Sequence, residues 1–417
     1  MRNDASVFRR GAWRGLLAIA ATYVAFLLFA QFGFLRQVER DLADPERVKA
    51  TLAAMGVAGL AASFGTAWLL GRVAAVRLVR AGLAAVAVVA AGSTLCHGFL
   101  PLLAAAAGIG ASIGVLTVAL ATALPEMAPG AAGRAAGVGT GVAYFISNVP
   151  GLFEGAPTVR ALFPAALAAV AAVVLRPSPP GSLSHPHSPP PGEEKPSPPA
   201  PLSLPHSPLS EEEKPSPPGP LSHPHSPPPG EGETRDRIRW IGILIVFLVL
   251  VWLDSAAFAI VQANPDLKAQ TWGSAGQKWL QGSVHLVAAV GAGALLDAGV
   301  GFAIPMASWV LFALAFPLLE GGGSTIAGPL YAIGISLYST ALVVMPTRDR
   351  AASPSPRWRA GLLYGIAGWL GSALGVGMAQ DLGRIPGSFL AATGVVLATV
   401  LALRLPRKER MAEGRVG

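Results

Sequence analysis

Long apolar runs, separated by short polar or proline-bearing breaks, dominate the 417-residue chain. Runs of about 20 apolar residues match the thickness of a bilayer core. Within lipid each backbone N–H needs a partner inside its own segment, so such runs predict helices. They are apolar on every face, unlike the alternating strands of a membrane barrel. Read between charged or Pro/Gly breaks, helices are expected near 15–35, 50–71, 79–97, 100–124, 134–153 and 159–175. They resume near 239–262, 277–296, 299–319, 325–345, 359–380 and 386–403. The layout is six, a gap, then six.

Composition points the same way. The chain is 52% hydrophobic and 13% charged, with a mean hydropathy of +0.53. A soluble domain carries about a quarter charged residues and could not hide this much apolar surface. Arg9, Arg10 and Arg14 precede the first run as they would a signal peptide, but that run is too long and opens a series. It is expected to stay as the first helix. One cysteine, Cys96, excludes a disulfide framework and any CxxC site. The net charge of +8 comes from basic residues flanking the apolar runs, with no basic patch interleaved with aromatics. Nucleic acid is therefore not an expected partner.

The gap holds three copies of a 19-residue unit, at 177–195, 196–214 and 215–233; the first reads PSPPGSLSHPHSPPPGEEK. Pro, Ser and Glu with isolated Leu cannot bury a core, so a semi-extended disordered tether is expected. The pairs His185/His187 and His223/His225 read as solvated residues of that repeat, and no metal site is expected. The domains are then 1–176, a first six-helix half; 177–235, the linker; and 236–417, the second half. With both termini on the cytoplasmic side, 23 of the 31 Lys and Arg fall inside. The other eight are Arg36, Arg40, Arg47, Lys49, Arg160, Lys268, Lys278 and Arg384. That bias sets orientation, with the linker cytoplasmic.

The halves look like copies of one another. GLAASFGTAWLLGR (59–72) slides onto HLVAAVGAGALLDA (285–298), matching Ala62 with Ala288, Gly65 with Gly291 and Leu69-Leu70 with Leu295-Leu296. GRAAGVGTGVAY and WRAGLLYGIAGWLG both open with a cation after a proline-bearing loop, then carry Gly and Ala at spacings that let helices approach closely. Repeats of this kind are the pattern of transporters, which move one repeat against the other. PEMAPGAAGRAAG (125–137) and GALLDAG (293–299), with the six-gap-six layout, resemble the major facilitator superfamily over nearly the whole chain outside the linker. The first-half loop, LLGRVAAVRLVR (69–80), departs from the family pattern: Gly71 stands where an aspartate is expected.

The resemblance implies an all-α membrane protein of twelve helices in two pseudo-symmetric bundles. It also implies that helix seven lines a central cavity with helix eight beside it. Charge within a membrane helix is costly and marks function by default. Away from helix ends the carboxylate is Asp254, about 8 residues, or roughly 12 Å, from the outer end of helix seven. His285 in helix eight shares that depth. A shielded carboxylate beside an imidazole has a proton affinity its surroundings can tune, so Asp254 is expected to carry a coupling proton with His285 assisting. The competing reading is a pair of structural interhelical hydrogen bonds.

Superposing helix one on helix seven through Gln31 and Gln262 sets Tyr23 opposite Asp254. Thr117, Tyr144, Asn148, Ser336 and Tyr338 are further candidates to line the cavity. Lacking an intramembrane Arg or Lys, such a cavity suits a neutral or cationic solute. The resemblance also places Asp297 against the start of the fifth helix, at Arg134, as a contact made only when the cytoplasmic side is shut; Arg72 would face helix eleven. The expectation is a monomeric, proton-linked, alternating-access transporter of a small solute, in contact with membrane lipid in the cytoplasmic membrane. No enzyme activity, catalytic residue or cofactor is expected. The alternative is a transport-inactive scaffold or sensor whose Pro-rich linker docks a cytoplasmic partner.

Overall fold

The computed structural model describes residues 12–175, 231–321, 325–348 and 354–402. The three repeats, up to residue 230, and both histidine pairs lie outside the described residues. All regular secondary structure among the described residues is helical. Twelve main helices follow in order: α1 (Ala12–Asp41), α2 (Pro45–Leu69), α3 (Ala75–Ser93), α4 (Phe99–Met127), α5 (Ala132–Ser147), α6 (Pro157–Val174), α7 (Glu231–Ala263), α8 (Ala275–Asp297), α9 (Ile304–Glu320), α10 (Ala327–Val344), α11 (Pro356–Leu382) and α12 (Gly387–Ala402). Nine are long and apolar enough to cross a membrane. Of the others, α9 and α12 are apolar but only 17 and 16 residues long, and the glycine-rich α5 has 16.

The local chemistry explains where the helices depart from the sequence expectation. Helix α1 runs on past Leu35 because Gln37 and Val38 are buried, with Gln37 Nε2 donating to the carbonyls of Ser93 (2.8 Å) and Cys96 (3.1 Å). Helix α2 starts at Pro45, not near 50: the Asp44 side chain accepts from Glu46 N at 3.0 Å, and proline suits the first turn. The fifth helix stops at Ser147, before Pro150, which disfavours helical geometry at the residue ahead of it. A short helix, Pro150–Phe153, follows. Another, Pro265–Trp272, is capped by Asn264 and precedes α8, whose own N-terminus carries a Ser274/Gln277 capping box. Ten residues of α1 (Ala25–Phe34) and eight of α11 (Leu363–Leu370) take wider π geometry, which often marks functional segments.

Within the first half α4 packs on α2 and α3, α6 on α3 and α1, and α1 on α5. In the second half α10 packs on α8 and α9, and α7 on α11. The halves meet along two seams, α5 with α8 and α2 with α11, and α10 also touches α5. Large apolar side chains face outward on the flanks, Val88 and Val287 each 72% exposed. That is the surface of a chain surrounded by lipid, and the protein is a multi-pass membrane protein.

The seams repeat one another in register. On the first, a Cβ added at Gly137 would collide with the Ala289 carbonyl, and one at Gly141 would lie 3.0 Å from the Leu286 backbone. On the second, a Cβ at Gly361 would lie 3.3 Å from the Ser63 carbonyl, and one at Gly365 would lie 3.4 Å from Leu60. The spacing of Leu60 and Ser63 on α2 is that of Leu286 and Ala289 on α8. Gly65 and Gly291, matched in the sequence, both face open space.

Candidate functional site

Both oxygens of the Asp254 carboxylate are held by tyrosines of α10. Tyr331 donates to Oδ1 at 2.7 Å and shares its proton with the Asp254 carbonyl at 3.1 Å. Tyr338 donates to Oδ2. The two tyrosines lie seven residues apart, two turns of one helix, so a single face of α10 presents both hydroxyls. Ser255, the next residue of α7, donates to Ser372 Oγ on α11 at 3.1 Å.

One turn away on the same helix, Ser336 Oγ lies 2.8 Å from His285 Nδ1 of α8. Tyr144 of α5 stacks on that imidazole, with ring centres 4.3 Å apart and planes 5° from parallel. Tyr23 of α1 donates to the Ser339 carbonyl at 3.1 Å and stands 6.3 Å, ring to ring, from Tyr144. Helix α10 therefore gathers Asp254, His285 and the two first-half tyrosines around its face. The histidine bonds serine where the sequence reading set it beside the carboxylate, because α10 inserts its own side chains there.

The remaining candidates divide. Asn148 Nδ2 donates to the Tyr144 carbonyl at 2.9 Å, while its Oδ1 is buried without a hydrogen bond in the protein. Gln262 Nε2 is likewise buried and unpartnered. Thr117 bonds back to its own helix, at Ile113 O (2.9 Å). Gln31 is half-buried within the π segment of α1. Tyr331 was not among the sequence candidates; an aromatic in the apolar first half of α10 looks like core, and its spacing of seven from Tyr338 was the available signal.

At one end of the first seam, Asp297 accepts from Gly133 N (2.8 Å), Arg134 N (3.0 Å) and Arg134 Nε (3.0 Å). A carboxylate on the exposed N–H groups of a helix start is favoured by hydrogen bonding and by the helix dipole. The second seam inverts this arrangement. Gly71 occupies the position of Asp297, and Arg357 of α11 occupies that of Gly133, its guanidinium filling the space beside Gly71. Arg72, in the turn after α2, instead lies over the Trp68 ring of that helix, 3.7 Å from the ring centre.

At the opposite end of the boundary from Asp297, four rings cluster, two from each half. Phe32 lies 5.1 Å from Phe153 and 5.4 Å from Phe258, and Trp272 lies 5.9 Å from Phe153 and 6.4 Å from Phe258. Lys278 of α8 pairs with Glu154, which follows the Pro150–Phe153 helix. Lys278 is 2% and Arg160 1% exposed. The sequence puts both cations at the outward-facing ends of expected helices, within reach of water; in the structure they are buried. Pro157 starts α6 and Ser274 caps α8, so the helices begin early enough to draw both charges into their first turns.

Two helix bundles packed along matching seams, with polar contacts crossing between them, give a fold shared with major facilitator transporters. Among solved structures the chain is similar to the human organic anion transporter MFSD10 (TETRAN), with a TM-score of 0.61 and 14% identity over 95% of this chain and 99% of that one. No protein-family model matches the sequence, and no curated protein matches it either.

Proposed function

We propose that the chain is a secondary transporter that moves a small solute by alternating access and couples the movement to protons at Asp254. The carrying observation is the Asp254 carboxylate of α7, each oxygen held by a different tyrosine of α10, the helix on which Tyr23 of the other half also docks. A carboxylate among hydroxyl donors can hold or release a proton while its neighbours stay hydrogen-bonded, and a buried charge left unpaired would be costly. The Tyr23, Tyr144 and His285 contacts cross between halves, so rocking them apart would open the same polar cluster. Asn148 Oδ1 and Gln262 Nε2, buried without protein partners, are the polar atoms best suited to a solute.

In this reading α5, α9 and α12 complete twelve crossings, the termini and the 177–235 linker lie in the cytoplasm, and the chain works as a monomer in the cytoplasmic membrane. Asp297 and Arg134 latch the inner side, and the ring quartet with Lys278–Glu154 closes the outer. The likeness to a solved transporter supports the class. Purified protein in proteoliposomes, assayed for uptake of a solute panel with and without an imposed pH gradient, tests it. Gradient-driven accumulation of one solute is expected. Absence of flux for every solute in both arms contradicts it.

A further inference from the structure

The outer end of the boundary carries charge that proton coupling does not use. Arg160 sits in the first turn of α6, packed so closely on α1 that a Cβ added at Gly33 would lie 2.9 Å from its own Cβ. Its Nε and Nη1 are buried and make no hydrogen bond within the protein. A guanidinium is permanently charged and presents only donors, so unpaired N–H groups on a buried one are expensive.

Its surroundings are cationic. Arg36, exposed on α1, stands near enough for its charge to act on Arg160, and Lys268, half-buried on the Pro265–Trp272 helix, stands within reach of both. Burial first, then Arg36 and Arg160, push the Lys268 amine below its ordinary range, with Glu39 acting the other way. Glu154 also acts on Arg160, but it is already engaged by Lys278. Three cations from both halves are therefore opposed by two exposed carboxylates, one of them committed elsewhere. Two rings of the quartet stand four residues, about one turn, from two of these cations: Phe32 before Arg36 and Trp272 after Lys268.

We propose that Arg160, with Arg36 and Lys268, binds an organic carboxylate at the outer mouth, the carboxylate pairing with the guanidinium and the apolar body resting on the ring quartet. This deepens the transport reading by naming a substrate class, and it reverses the expectation of a neutral or cationic solute. That expectation assumed no buried cation.

The test uses full-length purified protein and benzoate, with benzyl alcohol and benzylammonium as probes of similar shape, read by calorimetry in chloride-free buffer. Saturable benzoate binding is expected, with both controls at least tenfold weaker and affinity falling as salt rises. Arg160→Gln should weaken benzoate at least tenfold and Lys268→Gln several-fold, each with a melting temperature near the parent's. If R160Q does not fold, K268Q and the salt dependence decide. No benzoate binding, equal binding of benzyl alcohol, unchanged affinity in folded R160Q (or in K268Q where R160Q fails), or a site that takes chloride alone would each overturn the proposal. Binding is read without flux, so the two readings fail separately: solute flux without benzoate binding counts against the anion site, and benzoate binding without flux against transport.

Discussion

Asp297 of α8 accepts three hydrogen bonds at the start of α5, two from the backbone of Gly133 and Arg134 and one from Arg134 Nε. One half of the molecule thereby caps a helix of the other. Replacing Asp297 with Asn keeps the shape but removes the charge that favours the helix start, an effect of about 1 kcal/mol. The inner side should then open more often. With Cys96 replaced by Ser and Ser339 by Cys, maleimide labelling from the cytoplasmic face should speed several-fold in D297N. Unchanged labelling would show that the contact is not a latch.

The tight seam gives a second prediction. Gly137 meets the Ala289 carbonyl with no room for a side chain, whereas Gly65 and Gly291 face open space. Gly137→Val should lower the thermal midpoint by several degrees or abolish folding, in line with the few kcal/mol typical of core overpacking. Gly65→Ala and Gly291→Ala should stay within about 0.5 kcal/mol of the parent. Thermal unfolding followed by size-exclusion chromatography separates the two groups.

At the other end of α8, Lys278 is buried and its partner Glu154 is exposed. Removing the carboxylate strands a buried cation, which costs more than removing both charges. Glu154→Gln should therefore be less stable than the double variant Glu154→Gln/Lys278→Met. Equal stabilities, measured by thermal melting, would show that the pair is not coupled.

The two tyrosines on Asp254 are separable. Tyr338→Phe removes one donor and leaves Tyr331 in place, so gradient-driven uptake should fall about tenfold, the equivalent of roughly 1.4 kcal/mol. Tyr331→Phe should behave similarly, and the double variant should lose driven uptake altogether. Wild-type rates in the double variant would remove the tyrosines from the coupling site.

The sequence disclosed the helices and much of the symmetry because bilayer thickness and close helix approach leave direct marks in apolar run length and Gly spacing. Asp254 was legible for the same reason: a charge in an apolar run stands out. Its partner Tyr331 was not, since an aromatic residue has the same pattern whether it fills a core or aims a hydroxyl. Burial of Arg160 and Lys278 was hidden by their position near helix starts, where only the capping residues and the packing of α6 on α1 decide whether a cation faces water. That Gly71 lacks the carboxylate was visible in the sequence; that the Arg357 guanidinium fills the space beside it was not, because only the packing of α11 on α2 sets it there.

If Asp254 carries the proton that drives the solute, its carboxylate is needed for gradient-driven accumulation and not for exchange. Reconstituted Asp254→Asn protein should lose accumulation driven by an imposed pH gradient, while exchange of labelled for unlabelled solute with no gradient persists near the parent rate. Undiminished accumulation in that variant would contradict the account.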